Sequence, residues 1–295
     1  MHYVITGGAG NISKPLALQL LASKHQVTVI GRSASNLKEL TDAGAIAAIG
    51  SVEDQAFLTK TFTGADAVYT MVPPKWDAAD WKGYIAGIGQ IFANAIKASG
   101  VKKVVNLSSI GAHLPLGCGP VSGLYHVEQS LNAIAGVDVK HLRPGFFYTN
   151  FLANIGMIKH MQIIGGNYGD NSLLPLVFPG DIAIAAAEEL THLSFTGNSI
   201  RYIISDEKTT SDVAFILGTA IGQPALPWVD FTDEQNEAGM LQAGLSAEVA
   251  KNYTEMGAAM RTGAMGAEYN QVAKPVFGPT KLETFANTFA AIFNS

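Results

Sequence analysis

Three glycines close to the start of the chain are of a type and spacing that could bind a phosphate group. Gly7, Gly8 and Gly10 follow a short apolar run, and Asn11 and Ile12 lead from them into apolar residues at helical spacing. Glycines let the backbone turn tightly and approach a pyrophosphate, whose charge is attracted by free N–H groups at a helix start. Strand, glycine turn and helix in this order begin a dinucleotide-binding unit. Such turns also occur without a nucleotide, so the motif alone leaves both interpretations open.

Arg32 could decide which dinucleotide is bound. It follows the second predicted strand, Val27–Ile30, where NAD-specific proteins usually carry an acid for the ribose hydroxyls. No Asp or Glu occurs between Arg32 and Lys38. Because an arginine can donate charge-assisted hydrogen bonds to a 2′-phosphate, we predict NADP(H) in preference to NAD(H). The alternative is a solvated surface arginine.

Polar side chains after the fifth predicted strand and on the following helix could face the nicotinamide. Ser108 and Ser109 follow strand 101–107, and Tyr125 begins a helix that we expect to face the cleft. The serines could offer hydroxyls to the nicotinamide or merely satisfy backbone groups. Tyr125 could bind the cofactor or a substrate carbonyl, or pack as an aromatic at the helix start. The serines have no visible base and no G-x-S-x-G elbow, which argues against nucleophilic catalysis.

The elements that must position these residues alternate regularly through the first half. Six predicted strands separated by helices indicate an α/β protein with a doubly wound parallel sheet, a Rossmann fold. Ligands of such sheets bind beyond the carboxyl ends of the strands. The loops after the strands should therefore meet in one cleft, and they lie at 7–10, 31–33, 72–74, 108–110 and 144–147.

The second half loses this alternation. We predict an NAD(P)-binding Rossmann domain over 1–150 and a smaller, mostly helical substrate-side lobe over 151–295. Segments near 176–205 and 281–295 are expected to pack back on the Rossmann sheet. The stretch 234–261 is mostly helical in pattern, although three glycines weaken it.

Aromatic residues near the expected cleft allow two interpretations. They could wall a flat apolar substrate, or they could form core between the lobes. The cluster after the sixth strand consists of Phe146, Phe147, Tyr148 and Phe151. Trp76 and Trp81 follow the fourth strand and suggest either a lid or burial under the next helix.

Composition excludes several functional classes. Apolar residues make up 48% and charged residues 15% of the 295, with net charge −5, so a sizeable core is expected and a nucleic-acid surface is not. Cys118, the only cysteine, lies between glycines in a predicted flexible loop and excludes an intrachain disulfide and a thiolate metal cluster. The histidines share no metal spacing, so no metal site is predicted.

The sequence also carries no visible targeting segment. No secretory signal is visible, and no apolar run approaches the roughly 18 residues that span a bilayer, so a cytoplasmic protein without membrane contact is expected.

Motifs spread along the chain resemble the NmrA-like branch of the atypical short-chain dehydrogenases. They are Thr6–Ile12, Met71–Pro74, Val104–Gly111, Leu142–Asn150 and Asp181–Ala183. The resemblance implies a Rossmann domain, a small substrate lobe and NAD(P) binding. The family includes NADPH-dependent quinone oxidoreductases, aromatic-ether reductases and non-catalytic redox sensors. Besides the residues already named, the expected cofactor contacts are Ser33, Ser51, Val52, Met71, Val72, Pro73, Pro144, Gly145 and Phe146.

Two positions depart from the family pattern. Ser13 stands where the last glycine of the fingerprint is usual, a position that governs helix–strand packing more than phosphate contact, so we expect binding to survive. Tyr125 stands where many members carry a lysine, three residues before the Glu that matches Glu128. Gln129 replaces the lysine of the Tyr-x-x-x-Lys pair, and an unassisted tyrosine with a pKa of about 10 is a poor proton donor at pH 7. Tyr125 stays the one candidate catalytic residue.

The sequence therefore predicts an NADP(H)-binding oxidoreductase that reduces a small quinone-like or carbonyl acceptor by direct hydride transfer. The alternative is a non-catalytic NADP(H) redox sensor that acts through a protein partner. A Rossmann domain with a degraded site is a third interpretation. The expected partner is the small-molecule acceptor, and a homodimer is kept as a candidate assembly.

Overall fold

Twelve β-strands and eleven α-helices form the protein, and the computed structural model describes residues 1–295. The strands are β1 (His2–Ile5), β2 (Gln26–Gly31), β3 (Ile46–Ile49), β4 (Ala67–Thr70), β5 (Lys103–Leu107), β6 (Asp138–Pro144), β7 (Phe146–Phe147), β8 (Ile164–Gly166), β9 (Leu173–Val177), β10 (Asn198–Ile203), β11 (Asp206–Thr209) and β12 (Trp228–Asp230). The helices are α1 (Ser13–Ala22), α2 (Ala34–Asp42), α3 (Gln55–Phe62), α4 (Trp81–Ser99), α5 (Pro120–Asn132), α6 (Ile155–Met161), α7 (Pro179–His192), α8 (Thr210–Ala220), α9 (Asp233–Gln242), α10 (Ala247–Arg261) and α11 (Leu282–Phe293). Short 3-10 segments lie at Tyr148–Asn154 and Tyr269–Gln271.

Seven strands form one parallel sheet in the order β10-β6-β5-β4-β1-β2-β3. The chain builds β1 to β3 toward one edge and then crosses back to β4, which pairs with the other side of β1. The strand order therefore reverses between β1 and β4, the switch point at which doubly wound sheets bind their ligands. This sheet, with helices on both faces, confirms the predicted Rossmann-like α/β fold.

Apolar strands fill the centre of the sheet because both of their faces are covered. Tyr3, Val4 and Ile5 of β1 are fully buried, and every residue of β4 is buried. The helix α4 lays an apolar stripe that includes Ile88 and Phe92 against this sheet. Burial of each such side chain stabilises the folded state by about 1.5–3 kcal/mol, because its apolar surface leaves water. This packing keeps the strand ends in fixed positions.

The second half contributes to the sheet and also builds a smaller lobe. The helix α7 packs on α1 and contacts β4, β5 and β6, while β10 extends the sheet beside β6. The lobe contains a three-stranded sheet, β11-β9-β7, and a two-stranded one, β12-β8. The division of the chain at residue 150 stays a prediction.

The last helix differs from our expectation for residues 281–295. The helix α11 packs against α8 and the segment Tyr148–Asn154 rather than against the seven-stranded sheet. Its stripe of Leu282, Phe285 and Phe289 is buried in the core of the smaller lobe. An amphipathic pattern shows that a helix buries one face, but it does not say which surface covers that face.

Glycine positions correct the expected helix over 234–261. The stretch contains two helices, α9 and α10, and Gly244 between them has φ +90°. A left-handed residue of this kind ends a helix. Gly257 stays inside α10, where a Cβ atom would lie 1.8 Å from the Oδ1 atom of Asn167.

None of the helices combines the length and the apolar character needed to cross a membrane.

Candidate functional site

The glycine turn between β1 and α1 is required by its surroundings. Gly7 has φ +69°, and a Cβ atom there would lie 2.5 Å from the Sδ atom of Met71. The Gly8 N–H donates to the Ile30 carbonyl oxygen at 3.0 Å, which ties the turn to the end of β2. At Gly10 a Cβ atom would meet only the Gly7 carbonyl oxygen, at 3.2 Å. Backbone geometry and packing therefore require glycine at the first two positions. At Gly10, the absence of a side chain leaves the outer face of the turn open to a ligand.

The start of α1 presents unpaired hydrogen-bond donors. The N–H groups of Asn11 and Ile12 make no hydrogen bond within the protein. No side chain caps the helix, and its first turn holds no acidic residue. Asn11 is exposed and the Ile12 side chain is buried, so the donors lie at the surface above an anchored residue. Unpaired N–H groups at the positive end of a helix dipole form an anion-binding site.

Ser13 explains how the departure from the glycine fingerprint is tolerated. Its hydroxyl donates to the Thr6 carbonyl oxygen at 2.9 Å, and the side chain is buried. The Thr6 hydroxyl in turn accepts a hydrogen bond from the Met71 N–H at 2.8 Å, which joins the ends of β1 and β4. The serine therefore secures the contact between helix and strand through a hydrogen bond.

The end of the cleft that holds Arg32, where the 2′-phosphate and adenosine of NADP(H) are expected, lies where β2 and β3 finish; we call it the adenosine end. Gly31 is in register with Ile49, and the Gly50 N–H donates to the Gly31 carbonyl oxygen at 3.0 Å. Arg32 and Ser51 therefore leave the sheet side by side. Arg32 is exposed and makes no hydrogen bond or ion pair, so its guanidinium is available to a ligand.

The remaining predicted residues of this end vary in their exposure. Ser33 is half-buried, with its hydroxyl 2.7 Å from that of Ser35. Val52 is buried, and Ser51 accepts a hydrogen bond from the Glu53 N–H. At the end of β4, residues 71–73 are all half-buried beside the glycine turn.

Ser108 is engaged in a buried polar network that the sequence did not reveal. Its hydroxyl donates to Glu128 Oε1 at 2.5 Å. Arg143 donates to both carboxylate oxygens of Glu128, at 2.9 and 2.7 Å, and all three side chains are buried. The Arg143 guanidinium also contacts Glu268 and, at 3.3 Å, the Tyr202 hydroxyl. The Ser108 hydroxyl is thus committed to a carboxylate.

A second buried chain of polar groups crosses three strands. The Thr70 hydroxyl donates to Asn106, whose amide nitrogen lies 3.1 Å from His141 Nδ1. His141 Nε2 lies 2.8 Å from the Asn132 Oδ1 atom. Burial lowers the pKa of His141 to about 4, since the charged imidazole would lose its hydration. The neutral ring donates from Nε2 and accepts at Nδ1, so every group in the chain is satisfied.

Tyr125 lies on α5 and is half-buried, with its ring edge-on to His126. Its hydroxyl makes no hydrogen bond within the protein. Ser109 is also half-buried, and its hydroxyl donates to the Ile110 carbonyl oxygen at 2.9 Å. The Tyr125 hydroxyl is therefore free to meet a ligand, and no lysine or carboxylate side chain forms a hydrogen bond with it.

The segment after β6 is buried for structural reasons. At Gly145 a Cβ atom would lie 2.3 Å from the Pro175 carbonyl oxygen, so β9 can approach only a glycine. The Pro144 carbonyl oxygen accepts from the Ile110 N–H at 2.9 Å. Phe146 packs on Phe151 with ring centroids 5.4 Å apart. Of the two interpretations of this aromatic cluster, core packing accounts for Tyr148 and Phe151, which are both fully buried.

The two tryptophans, for which the sequence allowed either a lid or burial under the next helix, differ in their exposure. Trp81 is buried at the start of α4, whereas Trp76 is 54% exposed and stacks on Tyr253 at 6.1 Å. Cys118 lies in the predicted loop, just before α5, but its side chain is fully buried, and burial raises the pKa of its thiol to about 12. Gly119 is required by tight packing, since a Cβ atom there would lie 2.0 Å from the Asn252 carbonyl oxygen, whereas no atom lies within 4 Å of the Cβ position of Gly117, which has φ +79°.

Two cavities are relevant to ligand binding. The larger, about 800 Å³, lies away from the glycine turn, between α7, β10 and residues 268–279. The smaller, about 120 Å³, lies at the ends of β5 and β6 and is lined mainly by apolar side chains, among them Ile110, Phe146 and Met265. Tyr125 does not line either cavity.

No group of three or more His, Cys, Asp or Glu residues is placed to hold a metal ion.

The carboxyl edge of the sheet thus collects the predicted loops in the spatial order Pro144, Ser108, Val72, Gly7 and Arg32. Hydrogen bonds between neighbouring loops fix this edge, as between Ile110 and Pro144. The arrangement offers anion-binding amides at its centre, a free arginine at one end and an apolar cavity at the other.

Comparison with known proteins supports this assignment of the edge. Residues 7–138 match the family model described as NAD(P)H-binding. No curated protein matches the chain significantly in sequence. The chain therefore contains an NAD(P)H-binding domain, and the match includes the glycine turn and Arg32.

Solved structures of similar fold cover almost the whole chain. An NADPH-dependent quinone oxidoreductase from Escherichia coli, in complex with NADPH, is 19% identical with a TM-score of 0.78 over 97% of this chain and 99% of that one. A triphenylmethane reductase from Citrobacter sp. is 19% identical with a TM-score of 0.78, over 99% and 100%. A nucleoside-diphosphate-sugar epimerase from Staphylococcus aureus is 14% identical with a TM-score of 0.77, over 97% and 100%. These likenesses show the Rossmann-like fold and agree with the resemblance to the NmrA-like proteins.

Proposed function

Because residues 7–138 form an NAD(P)H-binding domain on a Rossmann-like sheet, we propose that the protein is an NADP(H)-dependent oxidoreductase. Its acceptor is a small quinone-like or carbonyl compound. The observation that carries the proposal is the combination of unpaired Asn11 and Ile12 amides with an unpaired Arg32 along one edge of the sheet. Similar structures solved with NADPH or NADP(H), a quinone oxidoreductase and a triphenylmethane reductase, support it.

Different residues of this edge would bind the different charged groups of the dinucleotide. The Asn11 and Ile12 amides would hold the pyrophosphate, since they point an unpaired positive dipole end at the surface. Arg32 would hold the 2′-phosphate through charge-assisted hydrogen bonds. When bound, the dinucleotide supplies a hydride from its nicotinamide. The Ser108 hydroxyl is buried against Glu128 and the Ser109 hydroxyl donates to the Ile110 carbonyl oxygen. Of the three hydroxyls predicted near the nicotinamide, the Tyr125 hydroxyl is therefore the unpaired one.

The acceptor would be held by apolar contact. The cavity beside Ile110 and Phe146 is about 120 Å³, well below the roughly 300–1,000 Å³ of typical ligand sites. It can therefore enclose only part of a flat ring, and the rest of the acceptor would lie in the open cleft. A quinone suits such a site, because orientation carries the catalysis and the reduced oxygen can take its proton from water.

Steady-state NADPH oxidation against a panel of quinones tests the activity. We expect turnover with at least one quinone and lower turnover with NADH. Arg32→Glu should weaken NADPH binding by about tenfold or more, the loss of a charge-assisted bond, with a small effect on NADH. Lys97→Glu, an exposed charge reversal on α4, is the matched control. Equal losses for both dinucleotides in calorimetry would count against the role of Arg32.

The sensor function is the second candidate, and the Tyr125–Gln129 pair favours it, because no lysine assists the tyrosine. In that case NADPH should bind tightly without turnover of any acceptor. Its addition should also change the association of the protein with a partner or with a second copy. An unchanged association state with and without NADPH would eliminate the sensor.

A further inference from the structure

An ion pair and a neighbouring tyrosine lie at the adenosine end of the cleft and are not used by the function proposed above. We call them the adenosine-end cluster, which consists of Glu53, Lys75 and Tyr84. Lys75 Nζ lies 3.5 Å from Glu53 Oε1 and 4.9 Å from the centre of the Tyr84 ring. Lys75 is 38% exposed and Glu53 is 50% exposed. The three residues come from the loops after β4 and β3 and from α4, so only the tertiary structure joins them.

The cluster borders the position of Arg32. The pairing of Gly31 with Ile49 makes residue 32 and residues 51–53 leave the sheet together. Burial and Glu53 raise the pKa of Tyr84, whereas the charge of Arg32 acts to lower it. Arg32 and Glu53 are therefore both within electrostatic reach of the same ring, and Lys75 is a second cation beside them.

The charges of this end are balanced before a ligand binds. Arg32 and Lys75 are cations, and Glu53 and Asp77 are the carboxylates that also act on Tyr84. A half-exposed Lys–Glu pair is weak, because both charges stay hydrated. A 2′-phosphate carries more charge than a carboxylate and offers three acceptor oxygens. It can therefore displace Glu53 from Lys75.

We propose that Lys75 is a second cation of the 2′-phosphate site and that Glu53 is its counter-ion when no dinucleotide is bound. This specificity-determining role rests on the proposed NADP(H) function. Glu53 limits the preference for NADPH, since its carboxylate must release Lys75 and then stands near the phosphate. The two residues therefore have opposite effects on the same selectivity.

Calorimetric titration of the full-length protein with NADPH and with NADH tests the proposal. Lys75→Met keeps the aliphatic side chain over Tyr84 and removes the charge. It should weaken NADPH binding about tenfold and leave NADH binding within about twofold. Glu53→Gln should strengthen NADPH binding by about threefold and so raise the NADPH-to-NADH selectivity. Lys97→Met is the control for loss of an exposed lysine and should change neither affinity.

Unchanged NADH binding in each variant shows that the fold and the pyrophosphate site are intact. If the wild-type protein binds NADPH and NADH but Lys75→Met weakens neither, or both equally, the role of Lys75 is refuted while the proposed function stands. If Glu53→Gln weakens NADPH binding, the counter-ion role is refuted. If the wild-type protein binds neither dinucleotide, the proposed function fails and the inference fails with it.

Discussion

Replacing Gly7 by alanine probes the turn on which the proposed cofactor site depends. Its φ of +69° is left-handed, which costs a residue with a Cβ atom about 1–2 kcal/mol. The new Cβ atom would also lie 2.5 Å from the Met71 Sδ atom, so the methionine must leave its rotamer at a further cost of about 0.5–1.5 kcal/mol. We therefore expect Gly7→Ala to lower the free energy of unfolding by about 1.5–3.5 kcal/mol.

Gly100 provides the matched control for the backbone contribution. It has φ +80° at the end of α4, and no atom lies within 4 Å of its Cβ position. Gly100→Ala should therefore cost only the left-handed conformation, about 1–2 kcal/mol. The difference between the two variants measures the contact with Met71. In Gly7→Ala/Met71→Ala that contact is absent, so the coupling energy of the two substitutions should offset the difference.

The assay is urea unfolding followed by circular dichroism, combined with NADPH titration. Because a displaced Met71 enters the cleft, we expect Gly7→Ala to weaken NADPH binding by about tenfold and Gly100→Ala to leave it unchanged. The reasoning is refuted if the two alanine variants lose the same stability and bind NADPH equally well. It is also refuted if removal of Met71 restores nothing.

Three further predictions concern the buried polar groups. His141 has a pKa of about 4 in the folded protein against 6.5 ordinarily, so its stabilising effect is complete above pH 6.5 and is lost as pH falls through 4. Urea unfolding should show a loss of about 3 kcal/mol from this group, absent in His141→Asn, and identical pH dependence of the two proteins would contradict this. Arg143→Met should cost about 3–5 kcal/mol because Glu128 is left buried and charged, and Arg143→Met/Glu128→Leu should recover part of it in thermal melts; a single-variant cost near zero would show that the pair is not buried in solution. Cys118 should resist iodoacetamide in the folded protein at pH 8, because burial raises its pKa to about 12, and should react once urea unfolds the chain; rapid labelling of native protein would argue against the burial.

The tertiary structure confirms the predicted fold but gives several motif residues contacts that the sequence did not predict. The sequence predicts that the Ser108 hydroxyl faces the nicotinamide or satisfies backbone groups, whereas in the structure it donates to the carboxylate of Glu128 on α5. Similarly, Arg143 and Gly145 occur in a motif that implies cofactor contact, whereas their surroundings are a buried carboxylate and the Pro175 carbonyl oxygen. A motif records which residue type stands at a position, and packing decides what that side chain touches.

The sequence by itself determined the elements that depend on local pattern. Continuous apolar runs, helical spacing and the glycine turn predict the alternating strands and helices, and alternation of this kind leads to a parallel sheet with one carboxyl edge. The tertiary structure alone decided the long-range pairings. It placed Cys118 in the core, α11 against α8, and Lys75 beside Glu53. Each of these depends on segments far apart in the chain, whose contact is fixed by the complementarity of whole surfaces and leaves no periodic signal in either segment.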